Sequence, residues 1–155
     1  MQAGNPGAMS VIPAHAKLVG TVRTFRPATQ DMIEKRLHEL VGSIAAAFGA
    51  RATLKYERVY PATVNHDTQA AFAANVADRL IGADNVVRNL DPSMGSEDFS
   101  FMLQAKPGAF ARLGQGGLEG GCFLHNSKYD FNDAVIPLGA GYLAALAETA
   151  MPIVK

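Results

Sequence analysis

Gly120–Asp133 reads GGCFLHNSKYDFND, and this stretch decides how the rest of the chain is read. Two glycines open it, and Cys122, Phe123 and Leu124 form an apolar run that suits a short buried strand. The run stops on His125 and Asn126, and a polar, aromatic loop leads to Asp133, where a helix can begin. A histidine just past a buried strand is held by the core while its ring faces a cleft. That placement suits a metal ligand, because the imidazole needs one nitrogen free and the other fixed by a neighbour. On spacing alone, a loop histidine with no task is the commoner case.

On the C-terminal side, a helix runs from about Asp133 to Met151, with Pro137 in its first turn and Leu143, Leu146 and Ala147 facing inward. On the N-terminal side, Gly114–Gly121 holds five glycines in eight residues. A phosphate cradle needs a strand before it and a helix after it, and here a strand follows, so the segment reads as a flexible connection. Ala109–Gly114 reads as a buried strand. Before it, Asp91–Leu103 is DPSMGSEDFSFML: a loop to Gly95, then a helix capped by Ser96 with Glu97 and Asp98 in its first turn, stopped by Pro107 and Gly108. Such a cap aims backbone N–H groups and a hydroxyl at one point, which suits a carboxylate or a developing oxyanion. An ordinary N-cap explains the same residues.

Further upstream, Asn85–Leu90 is a short strand, and Gln69–Ile81 is a helix with Phe72, Val76 and Leu80 as its stripe, Asp67 or Thr68 as its cap and Gly82 at its end. Pro61–Asp67 marks a boundary, with His66 as a polar turn residue. The clearest helix spans Gln30–Phe48, where Ile33, Leu37, Leu40, Val41, Ile44 and Phe48 recur at helical steps. Thr29 caps it, Asp31 lies in its first turn, Gly49 closes it, and His38 sits on its surface side. Ala16–Phe25 and Arg51–Tyr60 alternate apolar and polar residues as strands do. Strand, helix, strand is half of a small α+β sandwich, whose sheet edge another chain can pair with. Arg23, mid-strand, is either a solvated side chain or a planar fork for a carboxylate.

Composition bounds the function. At 155 residues and 48% hydrophobic, the chain can bury one ordinary core or two small ones. Lys+Arg and Asp+Glu are equal at 14 each, so no net field draws it to nucleic acid or an acidic membrane. No apolar run reaches the roughly 20 residues of a membrane helix, and Met1–Ser10 lacks the basic start and apolar centre of a signal peptide. The single cysteine fits a reducing, cytoplasmic setting. Cys122 as a nucleophile lacks a base and an orienting group nearby, and reads as a small buried apolar residue.

Taken together, MGSEDFSFML and FLHNSKYDFNDAVIPLGA resemble the C-terminal end of the M20 metallopeptidase family, in its amidohydrolase branch of hippurate hydrolase and N-acyl amino acid amidohydrolase types. SVIPAHAKLVGTVRTF is similar to that family's lid segment, and YPATVNHD to the return from lid to catalytic domain. The similarity covers almost the whole chain, in the family's order. It implies an α/β (α+β) fold: residues 1–61 as a partial lid or dimerisation domain, and 62–155 as the C-terminal part of a mixed-sheet catalytic domain. It further implies hydrolysis of N-acyl amino acids or related amides by two divalent ions (zinc, manganese, cobalt or nickel) whose bridging water attacks the amide carbonyl.

The same resemblance makes His125 a metal ligand, sets Arg23 beside the substrate carboxylate, and places Gly95, Ser96 and Glu97 at the active-site cleft. The family writes NVIP where this chain has Ser10-Val11-Ile12-Pro13, so Ser10 stands where a substrate-binding asparagine is usual. The chain has no HxCxHD motif and no adjacent pair of glutamates, which carry the other ligands and the base in the family, and the lid histidine would precede Met1. Two expectations follow. The first is a C-terminal portion of a metal-dependent amidohydrolase, a fragment or truncated product that is inactive alone, holds no metal stably and dimerises through its lid-like half. The alternative is a stand-alone dimerisation module without catalysis.

Overall fold

The structure is a computed structural model and describes residues 2–3, 11–116 and 124–152. The chain divides into two compact units, Met1–Glu57 and Arg58–Lys155.

In the first unit, β1 (Gln2–Ala3) pairs antiparallel with β2 (Ala16–Lys17), Gln2 opposite Lys17 and Ala3 opposite Ala16. Helix α1 spans Pro27–Ala47. It starts earlier than the Thr29 cap implies, because Pro27 carries the helical φ already and the Arg26 carbonyl accepts both Thr29 and Gln30 N–H at 3.1 Å. Its C-terminus closes as the Gly49 signal predicts. Gly49, at φ 66°, turns the chain so that its N–H reaches the Ala46 carbonyl (3.0 Å) while Ala50 N–H reaches Ala45 (2.9 Å), a paired closure that satisfies two free carbonyls.

The expected strands Ala16–Phe25 and Arg51–Tyr60 do not form as such: beyond Lys17 neither segment joins a ladder among the described residues. Alternation marks a chain suited to a half-covered pleated surface, but a strand exists only where a neighbour supplies its hydrogen bonds. Among the described residues Gln2–Ala3 is the single neighbour, and Leu18 and Val19 lie open. The mixed sheet expected of an α/β fold is therefore not present among the described residues, which are mostly helical.

The second unit is built on α2 (Asp67–Ile81) packed against α4 (Ile136–Ala150), and it also holds the short helix α3 (Phe99–Ala105). Val76 of α2 is 2% exposed, Leu103 of α3 5%, and Ser100 is fully buried with its hydroxyl donated to the Glu97 carbonyl at 2.6 Å. Two bonds tie α2 to α4: the Tyr142 hydroxyl to the Ala73 carbonyl (2.9 Å), and Arg79 Nη2 to Thr149 Oγ1 (3.4 Å). The inward stripe of α4 is Leu138, Gly139, Tyr142, Ala145 and Leu146, not Leu143 and Ala147, which are exposed. Gly139 sits in that stripe because Leu113 packs so close that a Cβ there would lie 3.2 Å from its Cδ2. A 3-10 turn at Asp133–Val135, capped by Asn132, feeds directly into α4.

Asn85–Leu90, expected as a strand, is a 3-10 turn at Ala83–Asn85 followed by chain without a ladder. Arg88 holds this segment to α2 by bonding Asn75 Oδ1 (2.8 Å) and pairing with Asp78. Ala109–Gly114 is likewise no ladder strand, for a specific reason. Its partner is a side chain: Asn65 donates to the Phe110 carbonyl (3.0 Å) and accepts the Phe110 N–H (2.7 Å), as a backbone amide would. Next to it the His66 N–H donates to the Gly108 carbonyl (3.1 Å), and the Gly108 N–H donates to His66 Nδ1 (3.2 Å). No described helix is long and apolar enough to cross a membrane.

Candidate functional site

Of the residues singled out by sequence, Arg23 belongs to the first unit, and Gly95, Ser96, Glu97 and His125 to the second; Ser10 and Cys122 lie outside the described residues. Arg23 is exposed on a segment without a ladder.

The MGSE loop differs from its expected form. Helix α3 begins at Phe99 with Asp98 in the N-cap position, so Ser96 precedes the cap instead of forming it, and the helix has only seven residues. The local reason is Ser100: its N–H and hydroxyl both bond the Glu97 carbonyl, at 3.2 and 2.6 Å, which tightens 97–100 into a turn and delays the helix. Gly95 and Ser96 are exposed and Glu97 is half-buried. An arginine that sequence reading did not single out stands beside this loop. Arg112 Nη2 donates to Ser93 Oγ at 2.6 Å and lies 3.9 Å from where a Cβ on Gly95 would be. A guanidinium there places positive charge against the loop. Its sequence signal was weak, since an arginine in AFARLG reads as the outward position of a strand.

His125 is exposed and has φ 68°, the one non-glycine residue with positive φ among those described. Left-handed backbone is uncommon for a residue with a Cβ, though histidine enters it more readily than most. The buried strand expected before it is not supported at its described end, since Leu124 is 66% exposed, while Cys122 and Phe123 lie outside the described residues. The loop that follows is tightly bonded. Asn126 accepts the Tyr129 N–H on its carbonyl (3.0 Å) and the Lys128 N–H on its side chain (2.9 Å). Gln115 Oε1 accepts the Tyr129 hydroxyl (3.0 Å) and the Asn132 N–H (3.4 Å), and Asn132 Nδ2 donates to the Gln115 carbonyl (2.8 Å).

Among the described residues no group of three or more His, Cys, Asp and Glu gathers. A closed metal site takes roughly four donors, so His125 and its described neighbours do not build one by themselves. Any such centre needs donors from outside the described residues.

Comparison with known proteins places the chain. The family model described as Peptidase family M20/M25/M40 matches residues 4–149. The chain is 35% identical over 140 residues to the hippurate hydrolase of Campylobacter jejuni, covering 90% of this chain and 36% of that protein. It is 31% identical over 141 residues to the thermostable carboxypeptidase 1 of Saccharolobus solfataricus (89% and 35%), and 30% identical over 155 residues to the N-acetylcysteine deacetylase of Bacillus subtilis (100% and 39%). The chain thus spans little more than a third of the length of these relatives. No solved structure matches it. With a family match running through both units, the chain belongs to peptidase family M20/M25/M40 and is related to its amidohydrolases.

Proposed function

We propose that this chain supplies the C-terminal substrate-binding and metal-binding residues of a divalent-metal amidohydrolase acting on N-acyl amino acids. What carries the reading is that two relatives, named for hippurate and for N-acetylcysteine, are named for N-acylated amino acids. Hippurate and N-acetylcysteine share a free carboxylate next to the amide. A planar guanidinium, with its two parallel donors, suits that carboxylate. Arg23 takes this role, and Ser10, Gly95, Ser96 and Glu97 border the bound substrate. His125 contributes one imidazole to a metal centre whose other donors lie outside the described residues. Residues 1–61 act as the lid portion, through which two copies pair, and 62–155 as the catalytic portion, in a soluble cytoplasmic enzyme.

The 155-residue chain is therefore expected to leave hippurate and N-acetyl amino acids uncleaved when zinc, manganese or cobalt is added. Turnover that a chelator and His125→Ala both abolish would overturn the division of labour. A hybrid joining this chain to the preceding part of the Campylobacter jejuni hippurate hydrolase tests the roles directly. In it, Arg23→Lys raises KM with metal content unchanged, because lysine keeps the charge and loses the fork. His125→Ala lowers metal content and kcat together. Metal loss in the first variant, or full metal content in the second, would show the roles to be misassigned.

A further inference from the structure

Gln115 makes three hydrogen bonds to the segment after His125: its side-chain oxygen takes the Tyr129 hydroxyl and the Asn132 N–H, and its carbonyl takes the Asn132 side chain. The backbone N–H of Asn132 can only donate, so the atom facing it must be the amide oxygen of Gln115. Asn132 in turn accepts the Ala134 N–H (3.1 Å) and the Val135 N–H (3.1 Å), which starts the turn into α4. One end of the loop is thus fixed to a helix and to Gln115, and the other is folded around Asn126. His125 stands immediately before Asn126 with a left-handed backbone. Such a conformation persists when its surroundings hold it, and the bonds on Asn126, Tyr129 and Asn132 are what hold the chain here.

We propose that Gln115 is a positioning residue. By latching Tyr129 and Asn132 it fixes the Asn126–Asn132 loop, and with it the direction in which His125 presents its imidazole. The latch deepens the proposed function, since it rests on His125 being the residue that acts. Gly116, which follows Gln115, has φ 109°, a backbone conformation that L side chains rarely adopt. Only the acceptor oxygen of the Gln115 side chain is used toward the loop, which makes glutamate a functional replacement and methionine, of similar length, a null one.

The test uses the whole 155-residue chain and amide hydrogen exchange read by NMR. Gln115→Met should speed exchange at Tyr129 and Asn132 by about tenfold, the loss expected from one to two hydrogen bonds, and leave Val76 in α2 unchanged. Gln115→Glu should restore protection. The His125 ring resonances should move toward averaged, solvent-like positions in Gln115→Met and return in Gln115→Glu. Tyr129→Phe removes the hydroxyl bond from the other side and should speed exchange in the same loop, which keeps the test open if the methionine variant fails to fold. Unchanged protection in both Gln115→Met and Tyr129→Phe overturns the latch. Full activity of the His125→Ala hybrid overturns the proposed function instead, and leaves the latch to stand or fall on the exchange data.

Discussion

Helix α1 in the first unit and helix α2 in the second make an instructive pair. At 21 residues α1 is the longer, with a proline start and a well-closed glycine end, yet none of its residues is buried. The 15-residue α2 has no side-chain cap, yet it carries Val76 at 2% exposure. The difference lies in what each helix finds to pack on. Within its unit α2 meets α4, whereas the apolar stripe of α1 ends in Ile44 and Phe48, both open to solvent. Good local signals make a helix, and a packing partner makes a core. The surface agrees: the chain exposes 13187 Å², where two separate compact units of these sizes would together expose about 9,000 Å². Large apolar side chains are part of that surface, among them Ile12 at 92% and Phe48 at 84% exposure.

The comparison breaks first at Leu103. If the second unit owns the core, Leu103→Ala should cost it about 2–4 kcal/mol, the usual range for a buried leucine in a site that cannot collapse. Leu40→Ala in α1, at a side chain already 38% exposed, should cost under about 1 kcal/mol. Urea unfolding followed by circular dichroism separates the two. Equal losses would mean that α1 is packed as well as the core of the second unit and that the contrast is false.

How far sequence reached follows the same line. The helices were legible because their signals are local: apolar residues at helical steps, Gly49 and Gly82 at the ends, Pro137 in a first turn. The strands were legible only as candidates. The alternation in Ala16–Phe25 and Arg51–Tyr60 says that one face wants cover, and it is silent about which chain supplies the ladder. Ala109–Gly114 shows the limit most clearly, since Phe110 is bonded by the side chain of Asn65, a pairing that no periodicity encodes. In the candidate site, His125 and the MGSE loop could be named from motif order. Arg112 and Gln115 could not, because each acts through a loop remote in sequence.

Asn65 sharpens the comparison at intermediate scale. Its amide stands in for a strand partner, so Asn65→Ala leaves the Phe110 N–H and carbonyl without their bonds, at about 1–3 kcal/mol. Asn65→Asp keeps the acceptor for the Phe110 N–H and sets a carboxylate oxygen against the carbonyl, so it should recover none of the loss. Thermal unfolding of both variants checks this. An aspartate variant as stable as the parent would mean that the carbonyl bond contributes nothing.

A smaller effect than at Asn65 is expected at the α2–α4 contact itself. The Tyr142 hydroxyl donates to the Ala73 carbonyl at 2.9 Å, and burial pushes the phenol above its ordinary value of 10.0. Tyr142→Phe keeps the ring and loses one hydrogen bond, so near neutral pH it should cost about 1 kcal/mol. The pH dependence carries the sharper information. Above pH 10 the unfolded chain releases the phenolic proton while the folded chain keeps it, so the unfolded state binds fewer protons and stability falls as pH rises. Below that range the contribution is present in full. The quantity to read is the difference between parent and variant. The gap between them should be flat from pH 7 to 9 and should narrow above 10, because phenylalanine has no proton to lose. A gap that stays constant through pH 11 would mean that the hydroxyl is as well solvated folded as unfolded.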